Sequence, residues 1–144
     1  MTRIRTLGMA VTTVLIGLTP AVAGAQVGTV VCLTTSGGGQ TRTTELVVTG
    51  AALAAGSFEF NLAAVGETTD LQPVTGFFIR RPGGANIYFG LEGPPTRNHD
   101  FALKEGGRVS AATLAGDGVR MQVRTSGQVD STPITASAVL GPCR

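Results

Sequence analysis

His99 and Asp100 stand side by side in Asn98-His99-Asp100-Phe101, and His99 is the only histidine of the 144-residue chain. A hydroxyl, imidazole and carboxylate relay needs the carboxylate to hold one ring nitrogen while the hydroxyl meets the other. Adjacent strand residues project to opposite faces, so Asp100 is badly placed to orient His99. No Gly-x-Ser-x-Gly elbow supplies a nucleophile either. His99 therefore reads as a polar residue at the start of a strand, and no catalytic residue is assigned.

Carboxylates come next. Glu67 and Asp70 share the stretch GETTD, and Glu92, Asp100 and Glu105 are scattered over the segments that follow. A glycosidase pair need not be close in sequence, yet nothing in this spacing requires one. Asp117, between Gly116 and Gly118, offers one carboxylate where a calcium loop wants several. Gly37-Gly38-Gly39 runs into the strand-like QTRTTELVV, whereas a phosphate loop needs a helix amino terminus and usually a lysine. With one histidine and no Cys-x-x-Cys spacing there is no metal ligand set. Neither a cofactor nor a metal is expected.

The two cysteines, Cys32 and Cys143, carry more information once their compartment is known. Arg3 and Arg5 precede an apolar stretch from Leu7 to Leu18, followed by the small-x-small site Ala23-Gly24-Ala25, which reads as a secretory signal peptide over residues 1–25. The apolar stretch is shorter than the roughly 20 residues of a membrane span, so no transmembrane segment is expected in the mature chain. Residues 26–144 then form a single exported domain, periplasmic or extracellular. An even cysteine count in that setting reads as a disulfide, here Cys32 to Cys143, closing nearly the whole domain into a ring. The full chain has 11 Lys plus Arg against 9 Asp plus Glu. Losing Arg3 and Arg5 leaves 9 against 9, which offers no electrostatic footprint for nucleic acid.

Two surface features remain. Arginine is used almost to the exclusion of lysine, with Arg80 and Arg81 ending one segment and Arg120 and Arg124 on one face of another; on neighbouring strands Arg80 and Arg120 would make an anion-binding face. Five of the seven aromatic residues lie between 77 and 101, and Phe77 and Phe78 must face opposite ways. Phe78 and Tyr88 on an outer hairpin face, with Arg80, Arg120 and Arg124, form the candidate ligand or partner surface.

The elements that position these residues are strands. Apolar runs are short, alternate with polar residues, and are separated by Gly, Pro, Asn and Asp clusters. SFEFNL turns Phe58, Phe60 and Leu62 inward. GVRMQVRT places Val119, Met121 and Val123 inward and Arg120, Gln122 and Arg124 outward. GFFIRRPGGANIYFGL is a hairpin turning at Pro82 to Ala85, with Phe77 and Ile79 on one arm and Ile87, Phe89 and Leu91 on the other. Further turns are expected at Glu105-Gly106-Gly107 and Gly116-Asp117-Gly118, and GAALAAG (50–56) reads as a connection. With VGTVVCLT, TRTTELVV and PITASAVL this gives about eight to nine short strands.

Two segments, AVGETTDLQP and TSGQVDSTP, look long enough to cross between sheets, which favours an all-β antiparallel sandwich with an up-and-down β-barrel as the alternative. An outer-membrane barrel would need aromatic girdles, and one Tyr with no Trp speaks against it. In outline the chain is similar to bacterial pilin-like and spore-coat-like secreted proteins, although its cysteines are much further apart than the usual pilin pair and no residue role carries over.

The expected function is an exported, non-catalytic binding or self-associating module in the periplasm or at the cell surface. Its partner would be a protein, glycan or lipid, or another copy in a homo-oligomer. The alternatives are a carrier with an apolar ligand in a barrel lumen, which needs a cavity above roughly 300 Å³, and a small secreted hydrolase using His99 or loop carboxylates.

Overall fold

The computed structural model describes residues 27–52 and 58–144. The expected signal peptide and most of the 50–56 connection lie outside the described residues, as does the side chain of Phe60. Eight strands follow in order: β1 (Val30–Gly37), β2 (Gln40–Gly50), β3 (Phe60–Thr68), β4 (Pro73–Arg80), β5 (Asn86–Gly93), β6 (Phe101–Ser110), β7 (Ala115–Arg124) and β8 (Val129–Leu140). Each pairs antiparallel with the next, and β8 pairs with β1, from Val31↔Leu140 to Ser36↔Thr135. The sheet thus closes into an up-and-down barrel in place of the expected sandwich.

The correction has a local cause. Both segments expected to cross between sheets are mostly strand. Glu67 and Thr68 belong to β3, and the chain reverses over Thr69–Gln72, where the Leu71 amide donates to Thr68 O at 2.9 Å and Leu71 takes a φ of 66°. Asp130 to Pro133 belong to β8, after a turn in which the Gly127 amide donates to Arg124 O at 2.9 Å. With each strand paired antiparallel to the next, the chain is an uninterrupted meander. Pairing its first strand with its last removes both exposed edges.

Two expected glycine turns are also corrected. β6 runs straight through Glu105-Gly106-Gly107 and β7 through Gly116-Asp117-Gly118; the reversal lies between them, where the Leu114 amide donates to Ser110 O at 2.8 Å. A Cβ at Gly116 would sit 1.9 Å from Arg108 O, and one at Gly118 2.2 Å from Gly106 O. These glycines let neighbouring backbones approach so closely that no side chain fits, which is how a barrel wall bends. The Pro82 to Ala85 turn forms as expected, with the Gly84 amide donating to Arg81 O at 2.9 Å.

The core is the lumen, filled by Leu33, Leu46, Phe78, Ile87, Phe89, Leu91 and Leu103 with smaller neighbours. Two strands face opposite to expectation. On β4, Phe78 points inward and Phe77 outward, because Phe78 stands in register with inward Phe89. On β7, Val119 is 45% exposed while Arg120 is buried. β7 is flanked by β6 and β8, whose Leu103, Val109, Ile134 and Ala136 fix which side is in. A one-residue slip would flip every side chain of β7, so its neighbours' burial decides its phase.

Outside, Glu45, Glu92, Lys104, Arg108 and Asp117 are exposed in mid-strand. An apolar lumen with a charged outer wall reverses the pattern of a lipid-facing barrel. Among the described residues no helix is long and apolar enough to cross a membrane. Cys32 and Cys143 form the disulfide, a bond that persists in oxidising compartments.

Candidate functional site

The lumen has two unlike ends. Near the start of β1 and the end of β8, Val31, Leu62, Phe78, Ile87 and Leu140 enclose only about 20 Å³, far below the roughly 300 Å³ of a ligand pocket. The opposite end is polar, with Thr35, Arg42, Thr44, Thr68, Gln72, His99, Glu105 and Arg120 all buried.

Glu105 and Arg120 stand opposite one another on β6 and β7. The Arg120 Nε donates to Glu105 Oε1 at 2.7 Å, with side chains 3% and 0% exposed. Thr35 on β1 completes the cluster. Its hydroxyl donates to both Glu105 oxygens at 3.1 Å and accepts from Arg120 Nη2 at 2.9 Å. Arg120 also reaches the carbonyls of Thr35 and Gly37, at 3.3 and 3.5 Å. The carboxylate and guanidinium satisfy each other, as a buried charge pair must.

Gln72, fully buried, locks the β3–β4 turn to the loop between β5 and β6. Its Nε2 donates to Pro94 O at 3.2 Å and Phe101 O at 3.1 Å, and its amide donates to Thr68 Oγ1 at 2.9 Å. His99 lies in the same loop, edge-on to Phe101 with ring centroids 5.8 Å apart. Asp70, distant in sequence, does the orienting that Asp100 cannot: His99 Nε2 meets Asp70 Oδ2 at 3.2 Å and Nδ1 meets Thr96 Oγ1 at 2.8 Å. Asp100 instead turns to Arg124 at 3.4 Å.

With Nε2–H donating to the Asp70 carboxylate, His99 Nδ1 accepts a hydrogen bond from the Thr96 hydroxyl, a tautomer assigned from these partners. That is the polarity of a nucleophile relay. The Thr96 hydroxyl, however, also accepts from the Asn98 amide within the same short loop, at 3.3 Å. One polar cleft at this end is lined by Arg42, Thr69 and Asp70 and another by Arg120, Gln122 and Asp130, and Thr96 lines neither of them. The arrangement fastens the loop over the barrel mouth.

Burial alone would raise the Asp70 pKa, but the Thr68 hydrogen bond, the Arg42 charge and the His99 hydrogen bond outweigh it and hold the carboxyl below its ordinary 3.8. A depressed folded pKa contributes stability that is present above the unfolded pKa and lost as pH falls through the folded one. The stability difference between the native protein and Asp70→Asn is therefore expected to hold steady from pH 7 to about pH 5 and to shrink below about pH 4. Urea titrations at stepped pH would measure it, and a difference unchanged down to pH 2 would contradict the assignment.

The five residues of the expected surface are not brought together. Phe78 and Arg120 lie inside the barrel. Arg80 is tied by its Nε to Gly84 O at 2.8 Å and by Nη1 to Glu59 at 3.2 Å, and Arg124 spans Asp100 and Asp130 at 3.4 Å each. Their strands, β4 and β7, are not neighbours. Tyr88 is exposed, at 48%, and shares the outer face with Phe77, at 39%, and Ile79.

A row of cross-strand partners continues from them around the barrel: Ala63, Phe77, Gly90, Gly106, Val119 and Pro133. Met121, one step away on β7, is also exposed. Gly90 and Gly106 line an open groove of about 520 Å³, with Phe77, Ile79 and Ala63 on one side and the Glu92–Lys104 ion pair, 3.4 Å apart, on the other. The Phe77 ring covers Gly90, whose Cβ would lie 2.4 Å from the ring edge. Sequence reasoning missed this row because it assigned Phe77, Val119 and Met121 to the core. No protein-family model, curated protein or solved structure matches this chain.

Proposed function

We propose that the chain is an exported, non-catalytic binding module that engages a protein partner through the outer wall of β3 to β7, in the periplasm or outside the cell. The observation that carries this reading is the apolar row of cross-strand partners from Ala63 to Val119, set among the exposed charges of Glu92, Lys104, Arg108 and Asp117. Contiguous exposed apolar surface of this kind marks interaction sites. The side-chain-free position at exposed Gly106 admits close approach of another backbone, and Tyr88 and Phe77 are the aromatic anchors that interfaces favour. The filled lumen favours a partner outside over a ligand within.

The test is site-specific photocrosslinking in the native cell. A benzophenone side chain at Tyr88 or Val119 is expected to give one discrete adduct, while the same group at Thr135 or Ser137, exposed on β8, gives none. An adduct at twice the chain mass would identify the partner as a second copy. Equal labelling at all four positions, or at none, would overturn the reading.

A further inference from the structure

A different observation points to a small-ligand site at the polar mouth, independent of the outer-wall reading. Arg42 on β2 is 8% exposed, and its Nη1 has no hydrogen-bond partner among the described residues. A guanidinium carries five N–H donors and keeps its charge in proteins, and leaving such a group buried and unmatched is costly. The nearby carboxylates are already engaged. Glu105 is held by Arg120 and Thr35, and Asp70 by Thr68 and His99.

The electrostatics agree. Burial first, and then the neighbouring Arg120, lower the Arg42 pKa, with Asp70 and Glu105 acting in the opposite direction. The Phe101 ring backs the guanidinium, its centroid 5.9 Å from Cζ. A cleft of about 260 Å³ opens at this point, lined by Gln40, Thr41, Arg42, Thr69 and Asp70. A buried cation with an unpartnered Nη1 therefore lines a polar opening in the barrel mouth.

We propose that this mouth binds an oxyanion, a carboxylate or phosphate group, received by the Arg42 guanidinium. Guanidinium geometry matches both groups, because two parallel N–H donors meet two oxygens. The Gln40 amide at the rim adds a donor. Asp70 lines the same cleft and repels the incoming charge, so it holds the affinity down.

The experiment follows the Arg42 Nε–H resonance in the disulfide-bonded protein as inorganic phosphate, acetate or chloride is added at constant ionic strength. Phosphate or acetate is expected to shift it saturably and chloride is not. Tighter phosphate binding assigns the site to phosphorylated ligands, and tighter acetate binding to carboxylates. Asp70→Asn should tighten the better anion by about threefold or more, since it removes a unit charge from the cleft.

Gln40→Trp, at an exposed position, should block the mouth and weaken binding by about tenfold or more without disturbing the core. This variant keeps the test open if Arg42→Gln does not fold. Shifts that grow linearly and equally with all three salts, or saturation that survives Gln40→Trp, would overturn the proposal.

Discussion

Replacing Cys32 and Cys143 with serine lowers the free energy of unfolding by about 4–5 kcal/mol in the chain-entropy account of a loop of this size. The two cysteines are 111 residues apart in sequence, so the bond restrains nearly all of the described chain when it is unfolded. In the folded state it lies where the barrel closes. Cys32 is on β1 beside Val139 of β8, the Gly141 amide donates to Val30 O at 2.8 Å, and the Cys143 amide donates to Glu45 Oε2 at 2.9 Å. The chain end thus crosses β1 to reach β2, and the bond fastens the last strand over the seam. A loss of this size is comparable with the whole stability of a small domain. Denaturant titration of the double serine variant, and of the native protein with reductant, should agree. A loss under about 1 kcal/mol would show that the β1–β8 ladder holds the seam by itself.

The second large effect belongs to the buried ion pair. Glu105→Leu is expected to cost about 3–5 kcal/mol, because it leaves the Arg120 charge inside the barrel with only Thr35 and backbone carbonyls for partners. Glu105→Leu combined with Arg120→Leu should recover most of that loss, since replacing a buried pair by apolar side chains is often neutral or stabilising. Stability measured over the four-membered mutant cycle gives the coupling directly. A single variant that costs no more than the double would mean that Arg120 finds water when its partner is removed, and that the polar end is open to solvent.

Much of the fold was legible in the sequence, and the misreadings share a cause. Alternation and turn chemistry located the strands, and the isolated cysteine pair could only bond to itself. The sandwich expectation failed because GETTD and QVDSTP are polar, and polarity reads as loop. In a barrel one face of every strand meets water, so Glu67 and Asp130 to Thr132 are ordinary strand residues. Strand phase was misjudged where apolar residues were assumed to point inward. On β7 the rule fails, because Arg120 is matched by Glu105 across the ladder.

A signal for the polar cluster was present. Glu105 is in phase with Leu103 and Val109, Thr35 with Val31 and Leu33, and Arg42 with Leu46 and Val48. Each of those runs places a polar group on the apolar face of its strand. The His99–Asp70 contact was not legible, since only the barrel topology brings the β3–β4 turn beside the loop before β6. The outer apolar row was hidden for the same reason: its residues are neighbours across six strands and distant along the chain.

The side-chain Nε proton of Arg120 reports most directly on whether β7 faces inward within a closed barrel, on which both the ion pair and the outer apolar row depend. The expected result is a resolved resonance at neutral pH that exchanges slowly with solvent and gives nuclear Overhauser contacts to Glu105 and Thr35. Fast exchange like that of exposed Arg108, with no contact to Thr35, would contradict barrel closure and would return Val119 and Met121 to the core.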